Sequence, residues 1–161
     1  MSAPTPPWRW NASTPDEQAP LDSDRGAYGT CRDPTNRLLL VHLASGLDKG
    51  QWALPGGEIE WGEHPDAALL RKMEEETGLV DIDSFRVTTV YSHTYPWSAQ
   101  RPYNSIHHNG IVYEVCLEKF DLRPEENGST DRCEWFTEEG ARKLPLTPMG
   151  EFAVDLVWPQ S

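Results

Sequence analysis

Apolar positions along the chain recur with two periods, one typical of strands and one of helices. Residues 38–43 form an apolar run without alternation, which predicts a strand covered on both faces. Residues 110–117 alternate instead, and this predicts a strand with one side formed by Ile111, Tyr113, Val115 and Leu117. Further strand candidates are residues 26–31, 85–91 and 133–136.

Two segments have the spacing of a helix. The first begins at Pro65 and ends near Gly78, and its core-facing stripe consists of Leu69, Leu70, Met73 and Thr77. The second follows Thr147-Pro148, a favourable N-cap and first helical position, and its apolar side consists of Met149, Phe152, Ala153, Leu156 and Val157. Strands interspersed with helices predict an α/β fold, with a mixed sheet covered by helices, over residues 26–161.

The first 25 residues differ in composition from the rest of the chain. They contain five prolines and few aliphatic side chains, which predicts an N-terminal tail, residues 1–25, outside the domain. Trp8 and Trp10 are exceptions, because two indole rings could pack on the domain or on a partner chain. The tail could therefore also serve as an interaction element.

Composition excludes several classes of function. The chain has 161 residues, the size of one domain, and its net charge of -12 argues against a nucleic-acid polymer as partner. Its three cysteines fit neither a disulfide framework nor a structural zinc site, so a reducing, cytoplasmic location is expected. No apolar run approaches the roughly 18 residues of a membrane span, so no membrane association is expected.

The chemistry is concentrated between Trp52 and Leu79. Gly57 is followed after five residues by Glu63 and after seven more by Arg71, and the pattern is completed by Glu75, Glu76 and Gly78. At about 100° per residue, positions 72, 75 and 76 fall on one side of the predicted helix, next to its core-facing stripe. Neighbouring carboxylates repel each other unless a cation or a proton holds them, and hard oxygen ligands suit Mg²⁺ or Mn²⁺. The segment therefore indicates a site for phosphate chemistry.

This segment resembles the Nudix box of the Nudix hydrolase family, with Lys72 where the family has a glutamate. The resemblance implies a Nudix-like α/β/α sandwich and a pyrophosphohydrolase that uses Mg²⁺ or Mn²⁺ to cleave the diphosphate linkage in a nucleoside diphosphate derivative. It implies that the metal is held by the Gly56 carbonyl, Glu75 and Glu76. It also implies that Glu63 and Arg71 form a structural ion pair. A homodimer is common among similar proteins, and the residues leave it open.

Lys72 leaves two outcomes open. Its ammonium can pair with Glu75 and Glu76, so the site could bind fewer metal ions and still catalyse hydrolysis. Alternatively, the domain could have lost turnover and sense a nucleotide by binding it. A flexible lysine can also contact a substrate phosphate as a point charge.

The general base and the substrate pocket are less well defined by the sequence. Four carboxylates of a late loop are available as the base, namely Glu125, Glu126, Asp131 and Glu134; spacing singles out none of them, and Glu126 and Glu134 are chosen as candidates. Aromatic and histidine side chains could stack on a base or contact phosphates, and the candidates are Trp52, Tyr95, Trp97, Tyr103, His107 and His108. Of these, Trp52, Tyr95 and His107, together with Lys72, are predicted to bind substrate, with core packing as the alternative for each aromatic ring. Tyr95 and Pro96 lie near positions that the family associates with dinucleoside polyphosphates and ADP-ribose respectively, so the two signals compete.

Overall fold

The computed structural model describes residues 21–96 and 105–160. The strands are β1 (Leu21–Cys31), β2 (Leu38–Leu43), β3 (Trp52–Ala53), β4 (Gly56–Glu58), β5 (Ile82–Tyr95), β6 (Ser105–Leu117) and β7 (Thr130–Phe136). The helices are α1 (Pro65–Thr77), α2 (Glu138–Arg142) and α3 (Pro148–Val157). Four residues considered above lie outside the described part of the chain: Trp8, Trp10, Trp97 and Tyr103.

The strands form two sheets. The larger sheet has the order β4-β1-β6-β5 and is mixed, because β1 runs parallel to β6 while the β1–β4 and β5–β6 pairs are antiparallel. The smaller sheet, β3-β2-β7, is antiparallel throughout. The predicted α/β fold with a mixed sheet is confirmed, and the second sheet is an addition that the sequence pattern did not indicate.

Strand β2 lies between the two halves of the apolar core. Leu39 and Val41 belong to a cluster with Leu69 and Met73 of α1. The other face of β2 packs into a second cluster with α3, which includes Leu38, Leu40, Met149, Ala153 and Val154. The continuous apolar run therefore forms a strand covered on both faces, as its pattern predicted.

Four strands, β1, β5, β6 and β7, are longer than their apolar pattern suggested. Strand β1 begins at Leu21, five residues before the predicted start, and its parallel register pairs Leu21 with Ser105 of β6. Strand β5 begins at Ile82 and continues to Tyr95. The added parts are rich in polar side chains, so hydrophobic patterning could not detect them, although backbone pairing does not require apolar side chains.

Both predicted helices are present. Pro65 is the first residue of α1, and Gly78 caps its C-terminus with a left-handed φ of 73°. Thr147 is the N-cap of α3, as its sequence predicted. Among residues 21–96 and 105–160, no helix is long and apolar enough to cross a membrane.

Thr147→Ala should lower the free energy of unfolding by about 1 to 2 kcal/mol, because the hydroxyl accepts a hydrogen bond that would be lost at a buried helix start. That bond comes from the Gly150 N–H at 2.9 Å. The matched control is Thr137→Ala, which removes the exposed cap of the five-residue α2 and should cost roughly 0.5 kcal/mol. Urea unfolding measures both, and equal losses would contradict the argument from burial.

Candidate functional site

Two cavities adjoin the segment between β4 and α1, and they differ in chemistry. One has a volume of about 460 Å³ and is lined on this segment by Ile59, Trp61 and Glu63. The other, of about 400 Å³, is lined by Gly56, Gly57, Glu58, Lys72 and Glu76, together with residues of β1, β5 and β6. The second cavity, called the box cavity below, holds the only buried carboxylate of α1 and is the candidate site.

Glu76 is the central residue of the box cavity. Its side chain is buried, with 2% of the residue exposed, and its Oε1 accepts a hydrogen bond from the Gly56 N–H at 2.8 Å. Burial raises the pKa of this carboxyl to about 7, against the opposing effects of the Lys72 charge and the Gly56 bond. Glu125 and Glu75 raise this pKa further. A cation in the cavity would therefore favour the ionised form of Glu76.

Gly56 can reach Glu76 because it has no side chain. Its φ is 144°, and a Cβ at this position would lie 2.2 Å from the Ala27 carbonyl oxygen. Strand β4 consequently pairs closely with β1, where Gly56 lies opposite Tyr28. The predicted proximity of Gly56 and Glu76 is thus present, with the Gly56 N–H as the group that contacts the carboxylate.

Glu63 and Arg71 form the predicted ion pair. The guanidinium donates from Nε to Glu63 Oε2 at 2.9 Å and from Nη2 to Glu63 Oε1 at 2.8 Å. Arg71 Nη2 also donates to the Glu58 carbonyl at 3.1 Å, and the Glu60 N–H donates to Glu63 at 3.1 Å. Neither member of the pair lines the box cavity. The pair therefore fixes the segment after β4 on the first half of α1, as the resemblance implied.

Glu75 and Glu76 have different surroundings, although they were predicted to act as a pair. The Glu75 side chain is 41% exposed and forms ion pairs with Lys72 Nζ and Arg71 Nη1, both at 3.4 Å. Lys72 is 14% exposed and lines the cavity beside Glu76, with its stem over Gly57. Within the described ranges, no three His, Cys, Asp or Glu side chains are grouped so that they could hold a metal ion.

The structure corrects two of the predicted substrate-binding residues. Trp52 is 4% exposed and packs edge-to-face against Phe136, and the centroids of the two rings are 5.0 Å apart. Trp52 is therefore a core residue rather than a pocket residue. His107 is exposed and contacts Ser92 Oγ at 3.0 Å, whereas its neighbour His108 is buried and lines the box cavity. Successive strand residues point to opposite faces, which explains the difference between the two histidines.

Tyr95 lies at the box cavity, and its predicted contact with substrate stays a prediction. It lines the box cavity and donates a hydrogen bond to Asp48 Oδ2 at 2.9 Å. Lys72 lines the same cavity. Of the four residues predicted to bind substrate, the structure therefore brings together Lys72 and Tyr95.

The late loop presents a different carboxylate from those predicted as the base. Glu126 and Glu134 are exposed, and their charges are not among those that shift the pKa of Glu76; none of the three carboxylates, Glu125 included, lines the box cavity itself. Glu125 is the loop carboxylate whose charge raises the pKa of Glu76. Its Oε2 accepts hydrogen bonds from the Thr130 hydroxyl at 2.9 Å and the Thr130 N–H at 3.3 Å, which fix its orientation. Composition could not separate Glu125 from its neighbour, since the two are adjacent and chemically identical.

Tyr28 is a cavity residue that sequence reasoning missed. A Cβ on Gly26 would lie 2.5 Å from the Tyr28 hydroxyl, and a Cβ on Gly110 would lie 3.1 Å from its ring. These two glycines are register partners in β1 and β6, so they leave room for the ring above the sheet. Burial raises the pKa of Tyr28, as do the charges of Asp24 and Glu76. Gly56 is the third glycine that packs against this ring. These three glycines were the feature of the sequence that could have indicated a role for Tyr28.

Glu63→Gln should destabilise the chain at neutral pH, and the effect should fade in acid. The Arg71 guanidinium and the Glu60 N–H lower the pKa of Glu63 to about 2, from an ordinary 4.5. The stabilisation by ionised Glu63 is thus complete above pH 4.5 and is lost as the pH falls towards 2. The difference in urea midpoint between wild type and variant should therefore shrink from pH 6 to pH 3. Glu74→Gln, at an exposed position of α1, is the control; a pH-independent difference for Glu63→Gln would contradict the ion-pair account.

Comparison with known proteins gives short sequence matches and longer structural ones. A protein named ADP-ribose pyrophosphatase from Methanocaldococcus jannaschii is 44% identical over 45 residues, 28% of this chain and 27% of that protein. An 8-oxo-dGTP diphosphatase from Proteus vulgaris is 38% identical over 72 residues, 44% of this chain and 62% of that protein. The chain thus matches less than two thirds of either relative's length.

A solved structure of similar fold is the NUDIX domain of Shewanella oneidensis NrtR complexed with ADP ribose. It has a TM-score of 0.65 and 16% sequence identity, and the alignment covers 84% of this chain and 85% of that one. A family model described as NUDIX domain matches residues 23–155, which include the box, the box cavity and all three helices except the end of α3. The chain therefore belongs to the NUDIX domain family, as the pattern from Gly57 to Leu79 predicted.

Proposed function

We propose that this chain is a divalent-metal-dependent hydrolase that cleaves the diphosphate linkage of a nucleoside diphosphate derivative. The observation that carries the proposal is the buried Glu76 carboxylate, which lies in a cavity of about 400 Å³ beside Gly56 and Lys72. A buried carboxyl with a raised pKa in a cavity is a candidate functional group, because its burial costs folding free energy that a catalytic or binding role would explain. The relatives named as a pyrophosphatase and a diphosphatase support hydrolysis at such a linkage.

The donor set fits Mg²⁺ or Mn²⁺ with few protein ligands. Mg²⁺ is usually held by one or two carboxylates, and its remaining positions are filled by water and substrate phosphates. Glu76 provides one buried carboxylate, and Glu75 and Glu125 are close enough for their charges to affect it. A site completed by substrate does not require three protein carboxylates already in place. A divalent cation bound there would neutralise charge on the phosphate oxygens.

The remaining residues of the site have separate roles in this proposal. The Lys72 ammonium, already in the cavity, binds a phosphate oxygen as a point charge and reduces the repulsion between Glu76 and an anionic substrate. Glu125, held by Thr130, accepts a proton from the attacking water. Arg71 and Glu63 contribute indirectly, because their ion pair keeps Gly56 and Glu58 in position against α1.

A second function, nucleotide sensing without turnover, is favoured by one observation. Lys72 stands where the family has a glutamate, and its Nζ pairs with Glu75 Oε2 at 3.4 Å. This ion pair makes the Glu75 carboxylate less available to a divalent cation. The NrtR NUDIX domain, which has the same fold, was crystallised with ADP ribose. A domain of this kind could hold a nucleotide derivative without cleaving it.

Glu76→Gln should lower turnover by about 100-fold or more, since it removes the ionisable group from the centre of the cavity while keeping its size. The measurement is product formation from a panel of nucleoside diphosphate derivatives with and without Mg²⁺. Glu74→Gln, on an exposed position of the same helix, is the control and should retain wild-type turnover. If the wild type binds a panel member but hydrolyses none, the sensing function replaces the proposal.

Lys72→Glu should tighten Mg²⁺ binding by at least about tenfold, because it replaces a positive charge beside Glu76 and Glu75 with a negative one. Calorimetry at pH 8, above the pKa of Glu76, avoids competition with its proton. Lys72→Met keeps the stem over Gly57 without the charge and should give an intermediate affinity. Equal Mg²⁺ affinity in all three proteins would place Lys72 outside the metal's surroundings.

A further inference from the structure

We infer that one wall of the box cavity, made of Asp24, His108, Asp48 and Tyr95, selects a neutral ring that carries hydrogen-bond donors and rejects a second anionic group. This wall is called the acceptor wall below. The inference rests on the proposed function, in which the diphosphate of the substrate lies near Lys72. It concerns the chemical group that is attached to that diphosphate.

The first half of the acceptor wall is a charged hydrogen bond between neighbouring strands. Asp24 of β1 and His108 of β6 are register partners, and Asp24 Oδ2 lies 2.8 Å from His108 Nδ1. His108 is largely buried, while Asp24 is partly exposed to the cavity. This bond lowers the pKa of Asp24, so its carboxyl is ionised at neutral pH and only accepts hydrogen bonds.

The second half joins a loop to the end of β5. The Tyr95 hydroxyl donates to Asp48 Oδ2 at 2.9 Å, and both residues line the cavity. Burial and the Asp48 charge raise the pKa of Tyr95, so the hydroxyl keeps its proton and remains the donor of this bond. Asp48 therefore presents a second carboxylate whose orientation is fixed by an aromatic residue.

Tyr28 connects the acceptor wall with the diphosphate side of the cavity. Tyr28 lines the cavity together with Asp24 and Glu76, and the charges of both carboxylates raise its pKa. Its ring also packs edge-on to His108, with the ring centroids 5.5 Å apart. A molecule with its phosphates near Lys72 would place the attached group along Tyr28 and against the acceptor wall.

The charges of the cavity determine which group the acceptor wall can take. Among the described residues that line the cavity, Lys72 is the one lysine or arginine, and it lies on the diphosphate side. Apart from His108, whose ring nitrogen already bonds Asp24, no basic side chain of the described lining faces Asp24 or Asp48, so this wall repels a phosphate or a carboxylate. Carboxylates bind hydroxyl and amine donors well, as the acidic residue of dinucleotide-binding folds binds a ribose hydroxyl.

Aromatic side chains add a preference for a ring. Tyr28 lies against His108, and Tyr95 packs on His93 with ring centroids 4.6 Å apart. Flat faces beside acceptors suit either a sugar, through its hydroxyls, or a nucleobase, through its amine and imide groups. The shared chemistry is an uncharged ring with donors, and the two sources can be separated experimentally.

The test uses the full chain with Mg²⁺ and four substrates: UDP-glucose, ADP-glucose, GDP-glucose and UDP-glucuronic acid. The last differs from the first by a carboxylate on the sugar. The variants are Asp24→Asn and Asp48→Asn, which keep the side-chain shape and remove the charge. Asp83→Asn, on an exposed position of β5, is the matched control. KM and kcat are measured for each pair of protein and substrate.

The wild type should prefer UDP-glucose over UDP-glucuronic acid. Each wall variant should raise KM for the preferred substrate by roughly ten- to hundredfold, because a hydrogen bond to a charged acceptor is weakened, while kcat changes less than the KM. If the variants also reduce the preference for glucose over glucuronic acid, the sugar occupies the wall. If they instead change the preference among UDP-, ADP- and GDP-glucose, the base occupies it. General damage to the fold would move neither ratio.

Failure of this inference is distinguishable from failure of the proposed function. Hydrolysis with KM values unchanged in both wall variants would overturn the inference and leave the hydrolase intact. If no substrate is cleaved, calorimetric binding of the same four compounds replaces KM, and weaker binding by the wall variants would support the inference without the hydrolase. Absence of binding by all four compounds, or a wild type that prefers the acidic sugar, would overturn the inference.

Discussion

The burial of one carboxylate, Glu76, is the constraint on which the site depends. Taking an ionised carboxylate out of water is costly unless hydrogen bonds and opposite charges compensate for it. Here the compensation consists of the Gly56 N–H and the Lys72 charge, and it is incomplete, because the pKa of the carboxyl remains raised. The position of β4 follows from this contact, since only a glycine at residue 56 lets the strand approach both Glu76 and β1. The incomplete compensation favours a cation in the cavity.

Two rigid arrangements keep that contact in place. The Arg71–Glu63 pair ties the segment after β4 to α1 through several hydrogen bonds to side chains and backbone. On the opposite side, glycines of β1, β6 and β4 surround the ring of Tyr28 and hold it beside Glu76. Because packed elements have few alternative arrangements, the cavity between them has a fixed shape. Substrate groups would therefore meet side chains that are already oriented, which reduces the entropic cost of binding.

Lys72 changes the character of this site without changing its architecture. The stem of Lys72 covers Gly57, and its ammonium pairs with Glu75. The helix therefore keeps the spacing of the box, while a positive charge stands where the family has the negative charge of a glutamate. The part of the cavity beside Lys72 is therefore less acidic than it would be with a third carboxylate at residue 72. The acceptor wall, with Asp24 and Asp48, remains acidic. Among the described residues, the cavity lining thus combines one lysine, beside Glu76, with two acceptors whose orientation is fixed by His108 and Tyr95.

The sequence by itself determined the family, the two principal helices, the central apolar strand, the Glu63–Arg71 ion pair and the proximity of Gly56 to Glu76. These features are local, because the box spans one turn and one helix, and spacing along a helix fixes which side chains share a face. Only the tertiary structure decided that His108 rather than His107 faces the cavity, that Trp52 belongs to the core, and that Glu125 is the loop carboxylate near Glu76. It also revealed the pairs Asp24–His108 and Asp48–Tyr95, whose members are 84 and 47 residues apart in the chain. Strand register and loop placement create such contacts, and a shift of one residue in a strand reverses the face on which a side chain lies.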